Sequence, residues 1–565
     1  MSENLELIIK KHVLKNAFDY GRANPGSVVG KVIGEAPDCK ADMKNTMQLI
    51  GQEVVRVSKL TKDQIEKEMS AFEYIQKEEK KKQIELPNAI EGKVITRFPP
   101  EPSGYPHIGH AKAAWLDYES AQNYGGSMIL RFDDTNPEKE SYQYVEAIKE
   151  GLKWLGISWS NETYTSDNMS KIYDTAAKLI EMKKAYICTC EQEEISKNRS
   201  EATACRCRSN SVSENQNKWR GMLEGEIEAG KAILRYMGDL ESQNTVMRDP
   251  TLARIMESKH YRQLAKYRVW PGYDLAVCVM DYVEGITHSM RSKEYELRDE
   301  LYKSIFDSLG WKMPELIGFS RLNIKNAPIS KRLLLPLVKE GKVMGWDDPR
   351  LPTLKGLERR GVLPAAIKQF VLAFGLSKVE SEPEWEGLLA INRKMLDPQS
   401  KHFFFVANPI ELQIEGLGKR EIKLKLHPKQ DIGERTINID NKVWISQMDF
   451  EKLTEGEIFR LKDLCNVKLV KKEHNRIVGK IEPEGTVEKK LQWVGNGHLE
   501  CEILVPKDLL DQNGEFNPDS LESIKGFCEE DCGKLKHGEI IQFERFGFCR
   551  FDNMPQKRLT FVYSC

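Results

Sequence analysis

No run of about 18 or more uncharged apolar residues occurs in the 565 residues, so a membrane-spanning helix is not expected. The first stretch, Met1 to Phe18, alternates Leu and Ile with Lys and Glu and lacks a signal-peptide core, which points to a cytoplasmic chain with no membrane partner. A surplus of either charge is also missing: 85 Lys and Arg stand against 86 Asp and Glu, a net of -1. That balance excludes a polybasic protein that binds nucleic acid through its whole-molecule field, though not a local basic track. Internal repeats are absent too. What is present is a hydrophobic fraction of 40% with 8% aromatics, enough to build cores and too much for a largely disordered chain. The length exceeds a single core, so roughly two to four domains are expected.

Residues 1–92 read as a helical extension. Leu5, Ile8, Ile9, Val13 and Leu14 fit one helical face, and Ile65, Met69, Phe72 and Ile75 recur at helical spacing in a Glu/Lys-dense stretch. Asn24-Pro25-Gly26 breaks the helices, and Lys80 to Lys82 reads as a solvated face before a linker. From Val94 to Phe98 a strand signal leads through Pro99, Pro100, Pro102, Gly104 and Pro106 into a helical run at Gly109 to Tyr124, then a second strand at Ser127 to Phe132. Strand, helix, strand in close succession implies a parallel α/β sheet, which takes its ligands at the carboxyl ends of the strands. Between Lys325 and Lys368 the pattern is helical and basic, with ten Lys/Arg against four Asp/Glu, and Val505 to Leu535 offsets it with eight acids against three Lys. Beyond Leu396 come short β-prone runs: Phe403 to Val406, Glu421 to Leu426, Thr436 to Ile439, Lys468 to Val470, Leu491 to Val494, Glu502 to Val505, Ile540 to Phe543 and Thr560 to Tyr563. These predict antiparallel barrels or sandwiches.

The most specific string is Arg97-Phe98-Pro99-Pro100-Glu101-Pro102-Ser103-Gly104-Tyr105-Pro106-His107-Ile108-Gly109-His110. Two histidines at the start of a helix can both face a phosphate, Gly109 lets a nucleotide approach the backbone, and the helix terminus adds free N–H groups. Four of the twelve cysteines pair as Cys188-Thr189-Cys190 and Cys205-Arg206-Cys207, which supplies four thiolates for a tetrahedral Zn²⁺ at a spacing tighter than the usual Cys-x-x-Cys. Four free thiols in a reducing compartment remain the alternative.

On these residues the chain resembles the class I aminoacyl-tRNA synthetases, whose HIGH signature matches His107 to His110, and within them the subgroup that joins glutamate or glutamine to tRNA. Leu130 to Pro137, Glu284 to Ser289 and Gly345 to Thr353 are also similar to that subgroup. The KMSKS signature is degenerate: Ala327-Pro328-Ile329-Ser330-Lys331-Arg332 keeps Ser-Lys and loses the first Lys. The resemblance implies a Rossmann-like catalytic domain at 93–324 with an acceptor-end-binding, zinc-bearing insertion at about 186–268, a helical connector at 325–395, and two β-barrels for anticodon binding at 396–565. The N-terminal extension at 1–92 resembles that of archaeal glutamyl enzymes, with no readable function.

The resemblance further implies a ligase that activates L-glutamate with ATP and Mg²⁺ and transfers it to tRNA. It assigns His107, His110 and Lys331 to transition-state stabilisation. ATP would be held by Glu101, Pro102, Ser103, His107, Gly109, His110, Arg321, Leu322, Ile329, Ser330 and Lys331. Arg97, Asp133, Tyr273 and Arg291 would hold the amino acid, with Arg291 at the position where glutamate enzymes carry Arg and glutamine enzymes an uncharged residue. A buried guanidinium facing a neutral carboxamide loses its counter-charge, at about 2–5 kcal/mol. The alternative for Arg291 is a surface salt bridge to Glu294 or Glu296. Some relatives bind zinc through similar paired ligands, here Cys188, Cys190, Cys205 and Cys207, as a structural ion; nothing in the chemistry calls for a catalytic one.

The expected partners are tRNA(Glu), with tRNA(Gln) left open, and L-glutamate, and the chain is expected to be a monomer. Arg359, Arg360 and Lys368 resemble the part that meets the inside of the tRNA elbow. Lys419, Arg420, Lys423, Lys425 and Lys429, with Phe403 to Phe405, could serve phosphates and stacked bases, while each Phe could equally be core. Three rival readings are a glutaminyl enzyme, a tRNA-independent HxGH adenylyltransferase, and a nucleic-acid-binding scaffold that has lost catalysis.

Overall fold

The computed structural model describes residues 2–20, 23–72, 84–473, 476–553 and 558–565. The chain divides into two compact units, Met1–Gln83 and Ile84–Cys565. The first is helical: Ser2–Tyr20, Pro25–Glu35, Met43–Val57 and Lys62–Met69. Asn24 starts the second helix, with its side-chain oxygen accepting from Gly26 N at 2.9 Å and Pro25 at the first helical position, where a missing N–H costs nothing. Val13, Leu14, Val28, Val32, Ile50 and Val57 form its core. The Lys80 to Lys82 run and Ile75 lie outside the described residues.

In the second unit, residues 84–92, counted in the sequence with the helical extension, instead pack with the α/β part: Ile84, Leu86 and Ala89 meet Val94, Leu116, Met290 and Phe319. Strands Ile95–Phe98, Ser127–Phe132 and Asn161–Tyr164 pair in parallel in that order, with helix Ile108–Gln122 between the first two. Strands His288–Ser292 and Glu315–Phe319 form a second parallel pair. Thr287 N donates to Ile95 O at 3.0 Å and Ile95 N to Thr287 Oγ1 at 2.8 Å, which brings that pair beside the first strand. The sequence order reverses between Ile95–Phe98 and His288–Ser292, and a cleft at the carboxyl ends of these strands is where such sheets bind ligands.

An antiparallel sheet of Ala185–Cys188, Ile233–Tyr236, Thr251–Ile255 and Val269–Pro271 is inserted between the parallel strands. The connector helices Lys331–Lys339, Leu354–Arg360, Pro364–Ala373 and Trp385–Leu396 follow. Leu354, Leu357, Ile367, Phe370 and Leu388 share one core with Phe98, Leu130 and Phe132, so the connector is continuous with the catalytic sheet.

The remainder is β. A seven-stranded sheet begins at Lys401–Phe403 and ends at Phe405–Ala407, and because Phe404 alone separates these two edges in the chain, the sheet must curl almost shut on itself. A six-stranded sheet runs from Lys442–Ser446 to Lys490–Leu491, and its ends are tied by paired Trp444 and Val494 hydrogen bonds of 3.0 Å. Phe403, Phe404 and Phe405 are 2%, 0% and 5% exposed and belong to the two barrel cores. The core alternative for these three holds, and no base stacks on them.

Candidate active site

The cleft at the carboxyl ends of the parallel strands is a cavity of about 710 Å³. Its lining includes Arg97, Glu101, His107, Gly109, His110, Asp133, Tyr273, Arg291, Arg321, Leu322, Ile329 and Ser330. Of the residues the sequence singled out for nucleotide and amino acid, Pro102, Ser103 and Lys331 are not among those lining it.

His107 caps helix Ile108–Gln122. Its Nδ1 accepts from Gly109 N at 3.1 Å, and His107 N donates to His110 Nδ1 at 3.3 Å. Each ring therefore carries its proton on Nε2, and burial lowers both histidines, His110 to about 4. At neutral pH both are uncharged N–H donors, suited to phosphate oxygens. A Cβ on Gly109 would stand 2.9 Å from His107 Cε1 and 3.4 Å from Leu322 O, so only glycine fits between the cap and the neighbouring loop. The turn is clamped by the string ending at Thr353: Ile108 N donates to Pro352 O and Leu354 N to Pro106 O, both at 2.9 Å, and Tyr105 stacks on Trp346 with centroids 5.1 Å apart.

Lys331 points elsewhere. Its Nζ donates to Ser103 O at 2.6 Å and lies 4.5 Å from the centroid of the Tyr144 ring. The ammonium thus rests on the loop before His107.

In and beside the cavity stand three buried arginines, Arg97, Arg131 and Arg291. Arg97 Nε donates to Asp281 at 3.0 Å and its other nitrogen to Met290 O at 2.9 Å. Arg131 donates to Asp281 at 2.7 Å, Glu284 at 2.9 Å and Asp133 at 3.2 Å. These two guanidinium groups hold the Asp281 carboxyl well below its ordinary range against the opposing effect of burial. Arg291 differs. It is 6% exposed, and Nε and both terminal nitrogens lack a hydrogen-bond partner. Asp299 is 3.4 Å away but misaligned, and the Tyr302 ring lies under the guanidinium at 4.4 Å. Neither sequence alternative is its partner: Glu294 pairs with Arg321 and Glu296 with Lys378. Asp133 accepts from Thr165 Oγ1 at 3.0 Å, burial raises its carboxyl, and Tyr273 packs on Tyr295 with centroids 4.5 Å apart.

This arrangement suits a nucleotide phosphate beside a small zwitterion with a second anionic end. The family model for the catalytic domain of class I (E and Q) tRNA synthetases matches residues 93–398, and two models of their anticodon-binding domains match 400–484 and 490–552. The chain belongs to this family. The synthetase is similar over its length to the glutamate--tRNA ligase of Nitrosopumilus maritimus (strain SCM1), 44% identical over 99% of this chain and 100% of that one. The glutamate--tRNA ligase of Pyrococcus abyssi (strain GE5 / Orsay) is 37% identical over 99% of each. A solved glutamate tRNA ligase from Elizabethkingia meningosepticum, in complex with its amino acid, aligns at TM-score 0.41 and 22% identity over 55% of this chain and 70% of that one.

Away from the cleft, the Sγ atoms of Cys188, Cys190, Cys205 and Cys207 all lie within 4.8 Å of one another, with Cys188 to Cys205 at 3.8 Å and Cys190 to Cys207 at 3.9 Å. Tetrahedral zinc with bonds of about 2.3 Å demands sulfur separations of roughly 3.8 Å, so the set fits the ion. Arg235, Tyr186 and the Thr189 N–H surround the sulfurs at 3.4 to 3.9 Å, as donors do around thiolate ligands.

The connector bases are largely engaged within the synthetase: Arg359 with Asp347 and Asp552, and Lys368 with Glu119. Arg360 is buried over Trp385. Lys419, Arg420, Lys423, Lys425 and Lys429 are exposed. Among the described residues, no helix is long and apolar enough to cross a membrane.

Asp281 was not apparent from motifs. Its signal was nonetheless present: Tyr273, Val277 and Asp281 fall at i, i+4, i+8, so the one acid after the apolar run Leu275 to Met280 shares the helix face of the cavity residue Tyr273.

Proposed function

We propose that the synthetase is a glutamate-tRNA ligase. The α-carboxylate of L-glutamate attacks the α-phosphorus of MgATP and expels diphosphate. The terminal ribose hydroxyl of tRNA then attacks the carbonyl of the mixed anhydride and releases AMP. Such transfers are catalysed mainly by positioning and charge stabilisation. His107 and His110 offer neutral Nε2–H donors to the phosphates, and Lys331 swings from Ser103 to follow charge onto the leaving diphosphate. Glu101, Pro102, Ser103, Gly109, Arg321, Leu322, Ile329 and Ser330 frame the nucleotide. Asp133 receives the α-ammonium, Arg97 and Tyr273 line the amino-acid end, and Arg291 receives the γ-carboxylate.

The observation that carries this reading is Arg291, a buried cation without a formed hydrogen bond in the cavity that also holds the histidine pair. A γ-carboxylate would satisfy it; a carboxamide would leave its charge uncompensated. The names of the full-length relatives agree with it. The exposed lysines of hairpin Arg420–Lys425 and Glu434–Ile439 supply a local positive track for tRNA, and zinc held by Cys188, Cys190, Cys205 and Cys207 would brace the inserted sheet. Aminoacylation of purified tRNA(Glu) and tRNA(Gln) with each amino acid tests the reading. Glutamate should be joined to tRNA(Glu) and glutamine to neither; a preference for glutamine would overturn it.

A further inference from the structure

The loop after strand Ser127–Phe132 carries Asp133, and its Asn136 and Glu140 also line the cavity. A turn at residues 258–263, from the insertion, grips the other side of this loop. Ser258 Oγ meets Glu138 at 3.4 Å, Tyr261 OH donates to Asp134 Oδ2 at 3.0 Å, and Arg262 binds Asp167 through both carboxylate oxygens at 2.7 to 3.1 Å. At the centre is His260, 1% exposed and stacked on Trp270 with ring centroids 4.7 Å apart.

Its Nδ1 accepts from Arg262 N at 3.2 Å and Gln263 N at 3.0 Å. The proton is therefore on Nε2, and protonating Nδ1 would oppose two backbone donors. The Nε2–H faces Glu140 Oε2 at 3.4 Å and Asp134 Oδ2 at 3.8 Å. Neither His260 Nε2 nor Glu140 Oε2 has a formed hydrogen bond among the described residues. Asp134, by contrast, accepts from Ser166 N and Oγ at 2.8 Å and from Tyr261 OH.

We infer that His260 is a positioning residue for the amino-acid pocket: its Nε2–H, aimed by the turn at Glu140 and Asp134, fixes the course of the loop 133–140 and with it the place of Asp133 at the cavity. The inference rests on the amino-acid reading of the pocket given above. Two buried carboxyls repel when both are charged, and a fixed neutral donor between them lets the pair pack. Burial raises Glu140 to about 8 and Asp134 to about 7. The donors from Ser166 and Tyr261 favour charge on Asp134, and Glu101 and Asp133 favour the proton on Glu140. Arg262 and Asp167 oppose each other at His260.

Side-chain geometry supplies the test. His260→Asn keeps an acceptor near the Nδ1 position and loses the reach of Nε2, whereas His260→Gln places an amide N–H near Nε2. In steady-state aminoacylation with the full-length synthetase, His260→Asn should raise the glutamate KM about tenfold with the ATP KM unchanged, and His260→Gln should stay within about threefold of wild type. Glu140→Leu should raise the glutamate KM similarly, and the double variant His260→Asn/Glu140→Leu should add little to either. A wild-type glutamate KM in His260→Asn, equal rises in the Asn and Gln variants, or a parallel rise in the ATP KM overturns the inference while leaving the pocket reading intact. Wild-type protein that joins no glutamate to tRNA overturns both.

Discussion

Replacing Arg291 with Gln tests the pocket most sharply, because activity and stability should move independently. In the ligand-free protein the guanidinium is 6% exposed, none of its nitrogens makes a hydrogen bond, and Asp299 at 3.4 Å is 40% exposed and misaligned. The fold therefore carries a buried cation with one misaligned carboxylate beside it and no formed hydrogen bond, which the proposed reading completes with substrate. Two charge-assisted bonds to a γ-carboxylate, lost together, correspond to about 2–5 kcal/mol, or a fall in kcat/KM for glutamate between about thirtyfold and several thousandfold. Because Arg291→Gln removes a buried charge that has only a misaligned, half-exposed Asp299 and no formed hydrogen bond, the thermal unfolding midpoint should stay level or rise. The assay is aminoacylation of purified tRNA with labelled glutamate, beside the ATP KM and a thermal melt of the same preparation. A kcat/KM within threefold of wild type, or a loss of activity matched by a falling midpoint, would refute the reasoning.

Elemental analysis of protein purified without chelator should find one zinc per chain, and Cys188→Ser should remove most of it and lower the thermal midpoint, since structural zinc contributes folding free energy directly; zinc unchanged by that substitution would exclude this site. Lys331→Met should lower the rate of tRNA-dependent ATP–diphosphate exchange by about 10²-fold with little change in the ATP KM, because the lysine rests on Ser103 O and acts only as charge moves; a dominant rise in the ATP KM would assign it to ground-state binding instead. Glu140 provides the pH prediction. Its folded value, about 8, lies above the ordinary 4.5, so between these limits the folded state binds the extra proton and stability declines as pH rises. Glu140→Gln should therefore flatten the decrease in thermal midpoint between pH 6 and pH 9, and an unaltered slope would contradict the assignment of that proton.

Local pattern carried the parallel sheet. Ser127–Phe132 is a continuous run bounded by Gly126 and Asp133, and Ile540–Phe543 is bracketed just as clearly by Glu539 and Glu544. The barrel strands Pro409–Glu415, Leu521–Cys528 and Gly547–Asn553 escaped because their β character depends on partners distant in sequence. Leu521–Cys528 has charged or polar residues at three of its eight positions, Glu522, Ser523 and Lys525, and pairs with both Leu499–Pro506 and Phe405–Ala407. For Phe403 to Phe405, base stacking and core were both open in the sequence, and their burial in the two barrel cores decides for core. The histidine cap, the glycine between its rings and the four cysteines were legible because the chemistry lies within a few residues. Lys331 was legible as a residue but not as a position, since its contact with Ser103 spans 228 residues.

The same distinction explains the amino-acid end. The resemblance singles out Arg97 and Arg291 in the sequence, whereas Arg131 stands there only within the Leu130 to Pro137 string. In the fold, Asp281 joins Arg97 to Arg131 and also accepts from Tyr302 OH and Ser289 Oγ at 3.0 and 3.2 Å, so two of the three cations are compensated before any ligand arrives. Burying the pair without Asp281 would leave two like charges together, which is why Asp281→Asn should cost more stability than any change at Arg291. Arg291 is left with a misaligned, half-exposed Asp299 at 3.4 Å and no formed hydrogen bond, and in the proposed reading an incoming carboxylate completes its pairing. A glutamine side chain brings no charge to such a cation. An acid introduced at the neighbouring cavity residue, Ser292→Glu, should therefore abolish glutamate use while leaving the thermal midpoint near that of the wild type.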